Sequence, residues 1–222
     1  EEIAGLVLDY YFEGIPKSLN KPFEQIQDDI QILSPQKKGS AGIFALNAEI
    51  QNRLTARGVP LFEGKYGAKF YANDRIIQTA NNYDLGVMNG EIGSVIAKSK
   101  TGLSVSINNE EKTYKAEAID NLVLSFAISI HKSQGSEYSG VIIPISSEHS
   151  FMLNRSLIYT AITRGKSKVC LIGEKSVLKR TLQNGFKGSR YTGLNIELCA
   201  QGHQKNISLS RLTEVYRQKK NK

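Results

Sequence analysis

Cysteine, long apolar runs and a phosphate-cradling lysine loop are scarce or missing in this 222-residue sequence. Cysteine occurs only at Cys170 and Cys199. Two thiols are too few for a disulfide framework or a four-thiolate metal site, so a reducing cytoplasm is expected. Cys199 with His203 would supply half of a zinc site, and the sequence offers no second half. No apolar run approaches the roughly 18 residues that span a bilayer, and no basic-then-apolar signal opens the chain. A membrane partner is therefore not expected. Gly-x-x-x-x-Gly-Lys-[Ser/Thr] occurs nowhere, and a chain without that loop does not cradle nucleotide phosphates alone. Repeats and low-complexity blocks are also absent. The sequence opens on Glu1-Glu2-Ile3 with no initiator Met, which predicts a piece of something longer.

What is present describes an ordinary globular protein, 40% hydrophobic and 23% charged, and 222 residues can hold one large domain or one domain with a small insertion. The net charge is +8 and the pI about 9.4. A basic balance of that size suits a polyanion such as nucleic acid, and equally a solvated lysine-rich surface. Part of the excess sits in the tail 217–222.

Periodicity divides the chain. Ile3, Leu6, Val7, Tyr10 and Tyr11 are spaced as one helix face, which Gly14 and Pro16 are expected to end. Asp29–Leu33 reads as a buried strand stopped by Ser34-Pro35. A polar loop follows, Gln36-Lys37-Lys38-Gly39-Ser40-Ala41-Gly42. Phe44, Leu46, Ile50 and Leu54 then mark a helix ending at Gly58, giving a strand–loop–helix unit of α/β type. Between about Val59 and Leu124 the apolar residues come in short bursts: 75–79, 93–97, 103–107 and 112–115. Thr101-Gly102 and Asn108-Asn109 are the hairpin turns. This predicts a small antiparallel β unit, SH3-like, inserted into the α/β domain. Strands resume at 125–131, 141–145 and 168–173. A helix capped near Asn154 carries Leu153, Leu157 and Ala161 on one face. Val177, Leu178 and Leu182 face a last helix that Asn184-Gly185 ends. The expected layout is 1–58 and 125–200 as the two parts of one parallel-sheet domain with helices on both faces. Residues 59–124 are the β insertion and 201–222 a tail.

Ligands of open α/β sheets sit beyond the carboxyl ends of the strands. Three candidates are expected there: the 34–42 loop, the 131–137 loop, and Arg164 at a helix end. In the second loop Gly135 gives a bend whose N–H groups can face an anion. Lys132 adds charge, Gln134 and Ser136 add donors, and Glu137 suits ribose hydroxyls. The plain alternative is a strand-to-helix turn with Glu137 in the first turn of the helix. Arg164 is a permanent cation that binds phosphate in a fork; its plain role would be to offset a helix dipole, which Lys166 or Lys168 could also do. Tyr159 suits the core as well as a ligand. His131 has no carboxylate or nucleophile beside it to form a triad. Lys37 and Lys38 flank Gly39 before a helix, which suits phosphate of ATP or of a nucleic-acid backbone. Asn81, Asn82, Tyr83 and Asn89 fit a sugar-phosphate strand with Tyr83 as a stacking surface, and fit turn chemistry as well.

Four segments resemble a known family. Ile128-Ser-Ile-His-Lys-Ser-Gln-Gly-Ser-Glu137 is similar to motif V of superfamily 1 helicases, and Leu157-Ile-Tyr-Thr-Ala-Ile-Thr-Arg164 to their motif VI. Residues 31–47 resemble motif IV of the RecD/TraA branch, and residues 74–93 a segment typical of RecD-like helicases. Order and spacing agree from about 30 to 173. The resemblance implies the second RecA-like motor domain of a 5′-to-3′ DNA helicase, with an SH3-like insertion. It implies Arg164 as the arginine finger, with Gly135, Gln134, Glu137 and Lys38 on the ATP side. Ser34, Pro35, Lys37, Thr79, Asn81 and His131 would line the track of a single DNA strand. ATP and Mg²⁺ are the implied cofactors. The P-loop and the Mg²⁺-binding acids would belong to a first motor domain missing from this sequence, and further nuclease–helicase subunits are possible partners. Repair or recombination is the implied setting. Two rivals stay open: a non-enzymatic nucleic-acid-binding module, and a partner-binding module, each using the β insertion.

Overall fold

Strands buried on both faces dominate the sheet, as their near-continuous apolar runs require. The computed structural model describes residues 2–55, 58–64 and 67–183. The expected helix end at Asn184-Gly185, the Cys199–His203 pair and the 201–222 tail lie outside the described residues. In chain order the helices are α1 (Glu2–Asp9), α2 (Ile15–Leu19), α3 (Phe23–Ile26), α4 (Ile43–Thr55), α5 (Ala116–Ile119), α6 (Arg155–Ile162) and α7 (Lys175–Gln183). The strands are β1 (Ile30–Ser34), β2 (Phe62–Glu63), β3 (Lys69–Phe70), β4 (Arg75–Gln78), β5 (Ile92–Lys98), β6 (Gly102–Ile107), β7 (Glu110–Lys115), β8 (Leu122–Leu124), β9 (Ala127–Ser129), β10 (Tyr138–Ile145) and β11 (Gly165–Gly173).

The main sheet is parallel, in the order β11-β10-β1-β9. Alternate residues of its strands feed two cores. Ile30, Ile32 and Ile142 pack with Val7, Tyr11, Leu46 and Ile50 under α1 and α4. Leu33, Val141, Ile143 and Ile145 pack with Leu157, Ala161 and Val177 under α6 and α7. Helices thus cover both faces, the RecA-like α/β arrangement expected.

The first helix departs from expectation. Gly14 and Pro16 do not end it: a π-helical turn, Tyr10–Gly14, carries α1 into α2. Pro16 lacks an N–H and crowds the carbonyl of the preceding turn, and the wider π turn accommodates it. The chain leaves the helix instead at Asn20, in the left-handed region.

α4 is rotated relative to the expected face. Phe44 is 59% exposed and Leu54 40%, whereas Leu46, Asn47, Ile50 and Gln51 are buried. Asn47 explains the choice. β9 is an edge strand; it pairs with β1 on one side, and the Ala127 N–H and C=O face the other. The Asn47 amide meets both groups, donating to the Ala127 carbonyl (2.8 Å) and accepting from its N–H (2.9 Å). One side chain closes the edge as a strand would.

The insertion is an antiparallel sheet in the order β7-β6-β5-β4-β8, with a separate β2–β3 hairpin. Asn108 and Asn109 both take positive φ (54° and 63°), as a tight β6–β7 hairpin demands. Phe70, Ile76, Val95, Val105 and Tyr114 form its own core. Ile77 of β4 joins the core under α6, so insertion and main sheet share packing.

Asp74, just before β4, is buried against α4. Its carboxylate accepts from the Gln51 amide (2.5 Å) and the Tyr71 N–H (2.8 Å). Burial raises its pKa from 3.8 to about 6, against those two hydrogen bonds. The folded state therefore holds the proton more tightly than the unfolded chain. Stability conferred on the acid form is present below about pH 4 and is lost as pH rises through about 6. Asp74→Asn is expected to flatten that slope and to raise stability at pH 7.5 by roughly 1–3 kcal/mol. Urea titrations at pH 5 and 7.5 measure it; an unchanged difference between the two pH values would reject the assignment.

Candidate functional site

Asn154 caps α6, its side chain accepting from the Leu157 N–H at 2.9 Å. The helix stops at Thr163, and Arg164 leaves it just before β11. The guanidinium is half-buried and held at three points. Nε donates to the Thr160 carbonyl (3.2 Å), Nη1 to the Ser136 carbonyl (3.2 Å) and Nη2 to the Thr163 hydroxyl (3.2 Å). The first of these is a helix-end contact of the dipole-offsetting kind. The second carries the cation across to the loop that holds Gly135. Lys166 and Lys168 lie further along, exposed on β11.

Gly135 has φ +86° with open space where a Cβ would stand. Backbone conformation rather than crowding demands glycine there. Gln134 and Glu137 are exposed on either side. Glu137 is not in the first turn of a helix. A 3-10 turn, Ile130–Ser133, precedes it, and β10 follows directly, so the dipole explanation for Glu137 falls.

The expected placement of all three loops beyond the carboxyl ends needs correction. Register pairs Tyr138 with Gly165 and Gly140 with Ile30, while Ser34 stands beside Ser129. Arg164, Ser136 and Glu137 thus lie at the amino ends of β10 and β11. Ser34 and His131 lie at the carboxyl ends of β1 and β9, about 20 Å away at ~3.3 Å per residue. Only the 3-10 turn Ile130–Ser133 and no α-helix lies between β9 and β10, and residues 130–137 run back along the sheet. One loop therefore has a foot at each end.

At the carboxyl end the side chains divide. Ser34 and Pro35 are buried, the Ser34 hydroxyl lying 3.1 and 3.0 Å from the Gln36 and Ala41 carbonyls. They shape the loop and have no free face for a DNA strand, contrary to expectation. Lys37, Lys38 and His131 are exposed. Burial, and then nearby Lys37, lower the pKa of Lys132, so cations from two loops meet here. Lys38, expected on the ATP side, sits at this end and has no hydrogen bond or ion pair to the Arg164 cluster. The Thr79 hydroxyl and N–H are both committed to the Asn121 carbonyl. Asn81 braces its hairpin by accepting from the Asn89 N–H (2.9 Å) and donating to the Tyr83 hydroxyl (3.2 Å). Tyr83 itself is 77% exposed. Turn chemistry and a presented ring coexist in that hairpin.

β1 and β10 are neighbours whose following helices, α4 and α6, cover opposite faces, which opens a crevice at their carboxyl ends. Glu148 fills it. Its carboxylate accepts from the Ser40 N–H (3.3 Å) and occupies the space of a Gly39 Cβ, where φ is +96°.

Residues 124–172 match the family model described as the UvrD-like helicase C-terminal domain. Residues 46–115 match the ATP-dependent RecD-like DNA helicase SH3 domain. The chain is 31% identical over 176 residues to the RecBCD enzyme subunit RecD of Mycolicibacterium smegmatis, covering 79% of this chain and 30% of that protein. It is also 31% identical over 149 residues to the ATP-dependent RecD2 DNA helicase of Deinococcus radiodurans, covering 66% of this chain and 20% of that one. The chain belongs to the RecD-like superfamily 1 helicases. It spans less than a third of the length of these two relatives. Among solved structures, Bacteroides Pif1 bound to ssDNA is similar over 69% of this chain and 45% of its own, with 17% identity and a TM-score of 0.48.

Three residues of this RecD-like chain carried no signal in the sequence. Glu148, Tyr138 and Arg75 act through partners far along the chain, and only the fold brings those partners together. Among the described residues no helix is long and apolar enough to cross a membrane.

Proposed function

We propose that this chain is the C-terminal motor half of an ATP-dependent 5′-to-3′ DNA helicase, supplying the arginine finger and part of the single-strand track. The observation that carries the reading is the Arg164 guanidinium resting on the Ser136 carbonyl, between the Gly135 bend and Glu137. A guanidinium stays charged at any working pH and matches phosphoryl oxygens in pairs. Gly135 leaves room for a phosphate close to backbone, and Glu137 is an exposed acceptor for ribose hydroxyls. No three His, Cys, Asp or Glu side chains gather among the described residues. Mg²⁺, which would supply charge neutralisation between the phosphates, is assigned in this reading to another domain together with the P-loop. Closure of the two domains on ATP would bring Arg164 to the γ-phosphoryl, and reopening would move them along one strand. Residues 1–58 and 125–200 would form the motor domain and 59–124 its insertion.

The test is reconstitution. The chain alone is expected to hydrolyse no ATP, and the full-length protein to do so when given single-stranded DNA. Turnover by the chain alone, or none by the full-length protein, would reject the reading. The carboxyl-end cations give a separate check. Charge reversal of Lys37 and Lys132 together is expected to weaken strand binding by the full-length protein. It should also reduce the log–log salt slope by about 1.4, at ~0.7 per phosphate contact on a single strand. An unchanged slope would remove both lysines from the track. Binding that survives high salt would favour a partner-protein module instead.

A further inference from the structure

Arg75, the first residue of β4, is only 4% exposed although it is charged. Its guanidinium leaves the inserted sheet and enters the turn before β1. Nη1 donates to the Ile30 carbonyl (2.7 Å) and the Gln27 carbonyl (3.1 Å), and Nη2 to Gln31 Oε1 (3.1 Å). Nε stands 3.8 Å from Asp28 Oδ1. Burying a guanidinium costs several kcal/mol unless its donors are met, so this arrangement fixes the insertion to one short turn. Asp29, in the same turn, grips the start of β10: it accepts from the Ser139 N–H (3.0 Å) and from the Ser139 hydroxyl. Beside Ser139, the Tyr138 N–H donates to the Arg164 carbonyl at 2.8 Å. Tyr138 is 6% exposed, and its hydroxyl has no partner of hydrogen-bond geometry. Burial raises its pKa, while the Ser136 side chain and then the Arg75 and Arg164 charges offset part of that rise. The phenol thus lies in the field of both guanidiniums.

We propose that Arg75 and Ser139 are positioning residues for Arg164, through which the inserted β unit governs how the guanidinium is presented to the transferring phosphoryl. This rests on the arginine-finger reading above. Three sets of hydrogen bonds, joined by the covalent steps Asp29–Ile30 and Tyr138–Ser139, link β4 through the Gln27–Ile30 turn to the backbone that carries Arg164. A strand bound to the insertion would act on turnover by holding this frame closed. Neither residue needs to touch ATP or DNA.

Arg75→Lys is the direct variant, but four lost contacts at a buried position can prevent folding. Ser139→Ala is the cleaner one, because it removes a single hydroxyl and keeps the N–H bond to Asp29. In the full-length protein Ser139→Ala is expected to lower DNA-stimulated kcat at least fivefold, with KM for ATP and Kd for a single-stranded oligonucleotide each within twofold. The same change made in an Arg164→Lys background is expected to cost less than twofold more. Equal losses in both backgrounds, a loss confined to KM or Kd, or no loss at all would overturn the proposal. Arg164→Ala assayed alone separates the two failures: wild-type turnover there sinks the finger assignment itself, whatever Ser139 does.

Discussion

Arg164→Ala in the full-length protein is expected to cut DNA-stimulated ATP turnover by about 10³–10⁵-fold, the range that an arginine finger contributes. The fold should hardly notice. The side chain is half-buried at the edge of the parallel-sheet domain, and its bonds go to two carbonyls and one hydroxyl that water can satisfy. Its helix-end contact with Thr160 is worth about 0.3–1 kcal/mol, which thermal melting would register as a small shift. Arg164→Lys keeps the charge and loses the planar fork; it should retain part of the activity and so separate charge from geometry. Steady-state ATPase with saturating single-stranded DNA decides the matter. Turnover near wild type in the alanine variant would end the assignment, and loss of turnover with loss of the folded state would assign Arg164 to structure instead.

The second large effect concerns stability. Asn47→Leu is nearly isosteric and adds apolar surface, yet it is expected to destabilise the fold by about 2–4 kcal/mol. The reason is that two buried backbone groups of Ala127 would lose their partner together, each at about 1–3 kcal/mol, offset in part by the leucine's own burial. Asn47→Asp should be at least as costly, because it keeps the acceptor for the Ala127 N–H but turns a carboxylate towards the Ala127 carbonyl. Urea denaturation followed by circular dichroism reads both. A leucine variant as stable as the parent would mean that the edge of β9 finds other partners.

These two positions mark the boundary of what could be read without coordinates. Residues whose role follows from neighbours in sequence were legible: the buried runs of β1 and β10, the Asn154 cap, the Asn108-Asn109 turn and the short apolar bursts of the insertion. Residues whose role depends on distant partners were not. Asn47 and Gln51 look like the wet face of α4 because their partners, Ala127 and Asp74, lie 80 and 23 residues away. Helix periodicity alone therefore assigned Phe44 and Leu54 to the core in their place. Pro16 looked like a helix end because the rule against interior proline assumes an α-helical turn before it, and the chain uses a wider one. Arg75 read as one more strand residue, although its guanidinium is buried in the base of another sheet.

The candidate site was legible as a set of residues and misjudged as a location. Residue type and loop pattern pointed to Gly135, Glu137 and Arg164, and those residues do share one end of the sheet. The general rule for open sheets then placed that end beyond the strand carboxyl termini. A helix that crosses back from the end of one strand finishes at the start of the next, so Arg164 at the end of α6 stands at the amino end of β11, and residues 135–137 stand there because they directly precede β10. Ser34 and Pro35 were chosen for lying in the right loop, but burial turns both inward.

The Asn47 clasp also orders events in time. During synthesis α4 leaves the ribosome 80 residues ahead of the strand whose edge it must cover. At ~5–20 residues per second, the Asn47 amide waits roughly 4–16 s for Ala127, while the whole inserted β unit emerges between them. The nascent domain can complete its sheet only after the whole insertion has emerged.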